Sequence, residues 1–183
     1  IPESITSAVC QFEDLESAVN TSILIVQTGI PVARMELLDN VQMGACITYS
    51  KLEGYEEKPT IFFEFHGTET GAKEQAEAVQ AIAEEFGGSA FQWTSKMEDR
   101  NKLWQARHDA YYAAIALRSG CQGWATDVCV PVSRLAECIN ETKDDLEETG
   151  LISPLVGHVG DGNFHMLYIC LLYTSPSPRD LTT

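Results

Sequence analysis

Apolar residues recur at two different spacings along this chain, and the regular exchange of one for the other limits what it can fold into. Helical spacing places Leu15, Val19, Ile23 and Val26 on one face between 14 and about 27, with Gly29 and Pro31 as the stop. Short β-branched and aromatic runs follow at 32–38 and 61–66, the second bounded by Pro59 and Gly67, and 40–50 between them reads as a short helix and loop. A helix is predicted over 68–86, with Val79, Ile82 and Phe86 inward and Gly87-Gly88 behind them, then a short strand over 90–94. The longest helix is expected over 97–118, with Leu103, Ala106, Ala110, Ala113 and Leu117 as its core stripe. A strand over 124–130 leads through Pro131 into a helix over 133–148, with Ser133 as N-cap, Leu135, Ile139 and Leu146 inward, and Gly150 as C-cap. Helices and strands alternate without a βαβ glycine fingerprint, which predicts an α+β fold with a mostly antiparallel sheet covered by helices.

The second constraint is the run Gly157-His-Val-Gly-Asp-Gly-Asn-Phe-His165. Extended residues precede it and a β-rich run, Phe164-His-Met-Leu-Tyr-Ile169, leaves it, so its glycines lie between two strands. A dinucleotide loop needs G-x-G-x-x-G opening a helix, and this spacing and context exclude it. The glycines permit a tight path, or positive φ, that returns His158 and His165 towards one another. Two imidazoles converging on one point suit Zn²⁺ or a similar divalent ion such as Mn²⁺. From the residues alone a second reading stays open, a glycine-rich hairpin with Asp161-Gly162 at its turn and histidines that satisfy core hydrogen bonds. Two histidines are in either case an incomplete ligand set, because catalytic zinc takes three protein ligands and keeps one position open.

Composition removes several classes of function. Against 12 Lys plus Arg stand 27 Asp plus Glu, and the net charge of -15 repels phosphate backbones and anionic lipid, so neither nucleic acid nor a membrane surface is expected as a partner. No apolar run reaches the roughly 18 residues that a membrane span requires. The chain's 183 residues, 44% of them hydrophobic, suit one globular domain. Its opening Ile1-Pro-Glu-Ser has no initiating Met and no targeting pattern, and it reads as a piece of something longer. The six cysteines contain no C-x-x-C pair and are expected as buried, reduced thiols. Residues 171–183 crowd Ser, Thr and Pro without any period and are expected to be a non-native or disordered tail after a domain over 1–170.

The run at 157–165 resembles the signature of the C-terminal domain of FAD-linked oxidases of the D-lactate dehydrogenase type. Trp104-Gln-Ala-Arg107-His and Ala125-Thr-Asp-Val-Cys-Val-Pro131 are similar to the same family, and the resemblance spans about 5–170. It implies a ferredoxin-like FAD-linked oxidase domain, incomplete at both ends, from a mitochondrial flavoprotein. It implies oxidation of a D-2-hydroxy acid, with electrons passing through FAD to cytochrome c. Under it His158 and His165 become ligands of a divalent metal, Arg107 pairs with the substrate carboxylate, and Asn163 faces the cofactor. Trp104, Arg107, His108 and Tyr111 fall on one predicted helical face beside the core stripe, where a guanidinium can take a carboxylate bidentately. Without the resemblance, Arg107 reads as an ordinary surface ion pair.

Ala125 stands where related D-2-hydroxyglutarate dehydrogenases carry a lysine, and Leu167 replaces a polar residue, so a small monocarboxylate such as D-lactate is expected over a dicarboxylate. D-2-hydroxyglutarate or glycolate dehydrogenation and a non-catalytic metal-binding or interaction domain are the alternatives. The family's third ligand and catalytic histidine belong to a Gly-Glu-His-Gly motif, and this sequence contains none. No catalytic residue is therefore assigned here, most of the FAD contact is expected from another domain, and the 183-residue chain alone is expected to be inactive.

Overall fold

Interior strands of this protein bury side chains on both faces, so helices must cover both sides of the sheet. The computed structural model describes residues 2–171; the expected tail at 171–183 lies, but for Leu171, outside the described residues. In chain order the elements are β1 (Ser4–Gln11), α1 (Leu15–Thr28), β2 (Val32–Leu38), α2 (Asn40–Ser50), β3 (Thr60–Gly67), α3 (Glu69–Glu85), β4 (Ser89–Thr94), α4 (Met97–His108), α5 (Ala110–Ala116), β5 (Gln122–Ala125), β6 (Val128–Cys129), α6 (Leu135–Glu147), β7 (Leu155–His158) and β8 (Asn163–Cys170). The strands form one antiparallel sheet in the order β4-β1-β3-β2-β7-β8-β5, with β6 also pairing β8.

Period-2 alternation gives each strand two sets of side chains. Ala8, Met35, Phe63, Leu155 and Phe164 point to the face packed by α1, α3 and α6. Val9, Leu38, Phe62, Val156 and Leu167 point to the opposite face, packed by α2 and α5 with Leu103 and Trp104 of α4 at its margin. Each fully buried Phe or Leu contributes about 1.5–3 kcal/mol of transfer free energy, so the two clusters supply most of the drive for closing both helix layers. The α+β, antiparallel, helix-covered architecture expected from the sequence is the one found.

Local chemistry fixes where helices begin. Asp14, Asp39 and Thr68 each accept a hydrogen bond from a backbone N–H three residues on, at 2.7, 2.8 and 3.1 Å. Asp39 is fully buried and also holds Lys143 of α6 at 2.6 Å, tying the two helix layers together at one end of the sheet.

Several expectations change. β1 is not anticipated: Ile5, Thr6 and Val9 are strand formers, but Ser4, Ser7 and Ala8 interrupt them, and pairing with β3 and β4 on its two edges holds the segment extended. The helix expected over 97–118 breaks at Asp109, whose carboxylate accepts from Gln105 Nε2 at 2.9 Å, and α5 ends at Ala116. The strand expected over 124–130 opens at Thr126 and Asp127. Ser133 caps nothing: a 3₁₀ turn over Val132–Arg134 precedes α6, which starts without a side-chain cap. α6 ends at Glu147 with Glu148 as its cap residue, and Gly150, at φ +65°, turns the chain two residues later. Val26 and Leu117, expected inward, are 37% and 40% exposed, since Ala18, Ser22 and Ile25 take the inward face of α1 and Ala113 and Ala114 that of α5.

Of the six cysteines only Cys10, Cys46 and Cys121 are buried; Cys129, expected among apolar neighbours, is exposed, and Cys138 and Cys170 are half-buried. Burial, followed by the charge of Glu84, pushes the Cys10 thiol up to about 12, and burial also raises that of Cys46. A raised thiol pKa favours the folded state while the thiol is protonated, and that contribution is lost as pH climbs from 9 through 12. Alkylation of the native protein at pH 8, followed by peptide mass spectrometry, is expected to label Cys129 first and to leave Cys10 and Cys46 unmodified until denaturant is added. Labelling of Cys10 at the rate of Cys129 would contradict the packing.

Candidate substrate and metal site

One face of the sheet changes character along its strands. Leu38, Phe62, Val156 and Leu167 are buried under α2 and α5, whereas Glu36, Glu64, His158 and His165, two residues along the same strands, lie on the same face past the helices' cover. Register does the gathering: Arg34 pairs Glu64 across β2 and β3, Leu38 pairs Val156 across β2 and β7, and Val156 pairs His165 across β7 and β8. α4 closes one side, with Trp104 Nε1 donating to Ser7 Oγ at 3.1 Å and Arg34 lying 5.2 Å over the indole ring.

Glu36 is the junction of this polar strip. Arg107 Nε and Nη2 donate to its Oε2 at 3.2 and 2.9 Å, and His158 Nδ1 sits 2.9 Å from Oε1 and 2.8 Å from Oε2. Side chains of Arg107 and Glu36 are only 15% and 13% exposed, so the pair is shielded and not the surface ion pair that the sequence alone suggested for Arg107. Nδ1 of His158 meets only acceptors, which places its hydrogen there and leaves the lone pair of the neutral ring on Nε2.

His165 is oriented by a different acceptor with the same result. Its Nδ1 lies 2.8 Å from the carbonyl oxygen of Thr126 and 3.6 Å from Asp127 Oδ1, so its lone pair too falls on Nε2. The opening between β5 and β6 makes this available: pairing runs in one register from Ala125↔Leu167 to Val128↔Phe164, and at the gap Thr126 Oγ1, not a carbonyl, accepts from Met166 N–H at 3.0 Å. The two imidazole rings stand 5.4 Å apart, edge to face at 84°. Asn163 Nδ2 donates to Asp127 Oδ1 at 2.8 Å and to Val128 O at 3.0 Å, so the Oδ1 acceptor is the amide atom left over. A cleft of about 330 Å³ opens beside Glu36 and His158, lined also by Pro31, Arg34 and Gly160. A larger cleft of about 780 Å³, between the end of α2, β4 and α4, contains neither histidine.

The turn between the histidines depends on two of its three glycines. After a 3₁₀ turn over Val159–Asp161, Gly162 adopts φ +72°, and a Cβ there would lie 2.1 Å from Val130 O. A Cβ on Gly157 would come within 3.1 Å of Val159 Cγ1 and 3.3 Å of Asn163 O, whereas Gly160 has room.

His158, His165 and Arg107 therefore stand in one cluster, and Asn163 borders it through Asp127. His108 and Tyr111 do not share Arg107's face; both are exposed, and Tyr111 Oη instead donates to Gly123 O at 3.4 Å. Glu36 escaped the sequence reading. Its signal was present, since Arg34 and Glu36 alternate on one face of a strand whose other face carries Met35 and Leu37. Its partners lie 71 and 122 residues away, and no local spacing could reveal them. As for metal, both histidines offer a free Nε2 and so fit as ligands, but among the described residues no third His, Cys, Asp or Glu joins them in a metal-holding group.

The open face of this antiparallel, helix-covered sheet thus carries Arg107, His158 and His165 together. The chain belongs to the FAD linked oxidases, C-terminal domain, whose profile matches residues 1–179. It is 48% identical over 180 residues to a probable mitochondrial D-lactate dehydrogenase of Danio rerio, covering 98% of this chain and 35% of that one. It is 39% identical over 177 residues to the mitochondrial D-lactate dehydrogenase [cytochrome] of Arabidopsis thaliana, covering 97% and 30%. The chain thus spans about a third of the length of these curated relatives. Among solved structures, 4-ethylphenol oxidase from Gulosibacter chungangensis superimposes with a TM-score of 0.66 at 14% identity, over 92% of this chain and 39% of that one, a likeness of fold.

Alanine at Gly29, which is left-handed but has open space around its Cβ, is expected to cost about 1–2 kcal/mol. Gly162→Ala adds the approach to Val130 O and is expected to lower the thermal midpoint well beyond Gly29→Ala. Equal losses in the two variants would contradict the turn geometry.

Proposed function

We propose that this chain is the substrate-binding part of a mitochondrial, FAD-dependent D-2-hydroxy-acid dehydrogenase that oxidises D-lactate to pyruvate and passes the electrons to cytochrome c. The observation that carries the reading is the placement of Arg107 beside two histidines whose Nδ1 atoms are both occupied, leaving two Nε2 lone pairs on the open face. His158 and His165 would hold a divalent metal, Zn²⁺ or Mn²⁺, which when bound supplies Lewis-acid polarisation of a substrate oxygen. Asn163 would be the residue of this chain nearest FAD, which would be held mostly by residues outside this chain and would supply a two-electron acceptor for the substrate. Arg107 holds the substrate carboxylate by a charge-assisted bond, with donors that Glu36 does not use. Ala125 and Leu167, paired across β5 and β8, supply no cation for a second carboxylate at that position, which supports lactate among D-2-hydroxy acids.

Nothing in this chain is assigned to remove the hydroxyl proton, and the isolated 183-residue chain is expected to show no D-lactate-dependent dye reduction. In the full-length protein, Arg107→Ala is expected to raise KM for D-lactate at least tenfold while leaving the flavin absorbance unchanged. His158→Ala and His165→Ala are each expected to abolish tight metal binding. Unchanged KM in the first variant, or unchanged metal content in the other two, would overturn the respective role.

A further inference from the structure

The geometry points to Glu36 as a positioning residue that sets His158 and Arg107 with a single carboxylate. It deepens the proposed metal and substrate reading and rests on it. Three features carry the assignment. Glu36 takes hydrogen bonds from two different elements, Arg107 of α4 and His158 of β7, while standing itself on β2 in the middle of the sheet. Its contact with His158 is at Nδ1, which directs the ring's lone pair to Nε2 and fixes the ring plane; a carboxylate behind a ligating imidazole also raises its basicity. Its contact with Arg107 uses Nε and Nη2 through one oxygen, holding the guanidinium by its side edge so that its remaining donors stay available to an incoming carboxylate.

The same geometry says why a glutamate stands here. Three donor atoms, Nε and Nη2 of Arg107 and Nδ1 of His158, converge on one group, and only an ionised carboxylate offers two acceptor oxygens with no hydrogen of its own. Glutamine matches the shape but has one acceptor oxygen in place of two and carries no charge, so it holds the three donors more weakly. Aspartate is one methylene shorter, which draws the carboxylate back towards β2 and away from both partners.

The test uses the full-length, flavin-loaded protein and four variants: Glu36→Gln, Glu36→Ala, His158→Ala and the double variant Glu36→Ala with His158→Ala. Affinity for Zn²⁺ and for Mn²⁺ is measured by competition with a chromophoric chelator, and flavin absorbance reports that the fold is kept. Both Glu36 variants are expected to bind metal about 10–100-fold more weakly than wild type. Because Glu36 acts through His158, the double variant is expected to bind no more weakly than His158→Ala alone. Wild-type affinity in both Glu36 variants, with metal lost in His158→Ala, overturns the positioning role and leaves the metal site standing. Wild-type affinity in His158→Ala overturns the metal reading and this inference with it. A further loss in the double variant, beyond that of His158→Ala, shows that Glu36 acts on the metal by another route and also overturns the inference.

Discussion

The carboxylate of Glu36, shared between a guanidinium and an imidazole, is the interaction on which the open face of this sheet depends. A glutamate inside a strand, 13% exposed, carries a desolvation cost that a single partner repays incompletely. Arg107 neutralises its charge and His158 adds a further hydrogen bond, which together meet the requirement that a buried charge be both paired and bonded. Removing one partner from such a group generally costs about 3–5 kcal/mol, because the other is left buried and uncompensated. The site therefore cannot lose Glu36 without disturbing both of its functional neighbours.

The surrounding fold is arranged to keep that group in place. β2 lies between β3 and β7, and its other face packs Met35 and Leu37 into the larger apolar cluster, so the strand that carries Glu36 has little freedom to move. α4 reaches the same point from outside the sheet, anchored by Trp104 on Ser7 and under Arg34. On the far side Thr126 keeps its N–H bond to Met166 O at the break, but its hydroxyl takes the place of its carbonyl towards Met166 N–H and frees that carbonyl for His165. A regular strand there would have left His165 without the acceptor that sets its lone pair.

Much of this is legible in the sequence. The helices whose apolar residues keep one period over many positions, α1, α3 and α6, and the continuous apolar run of β3 fall where the sequence puts them. The glycine run between two strands marked both histidines, because seven of its nine residues suit a turn or a ligand better than a core. What escaped was set by tertiary contact. β1 is extended because two neighbours pair with it, and Asp109 interrupts a helix whose stripe continues through the break. Glu36 looked like one polar residue in an apolar strand, and its meaning came from the order β3-β2-β7, which brings residues 36 and 158 together and which no local pattern encodes.

The most direct measurement is anomalous diffraction from crystals of the full-length protein soaked with Zn²⁺ or Mn²⁺ and recorded at the metal's absorption edge. With Zn²⁺, one strong peak is expected about 2.0–2.1 Å from Nε2 of both His158 and His165, with Glu36 still bonded to His158 Nδ1. A peak bound through Nδ1, or one that touches neither histidine, would contradict this ligation.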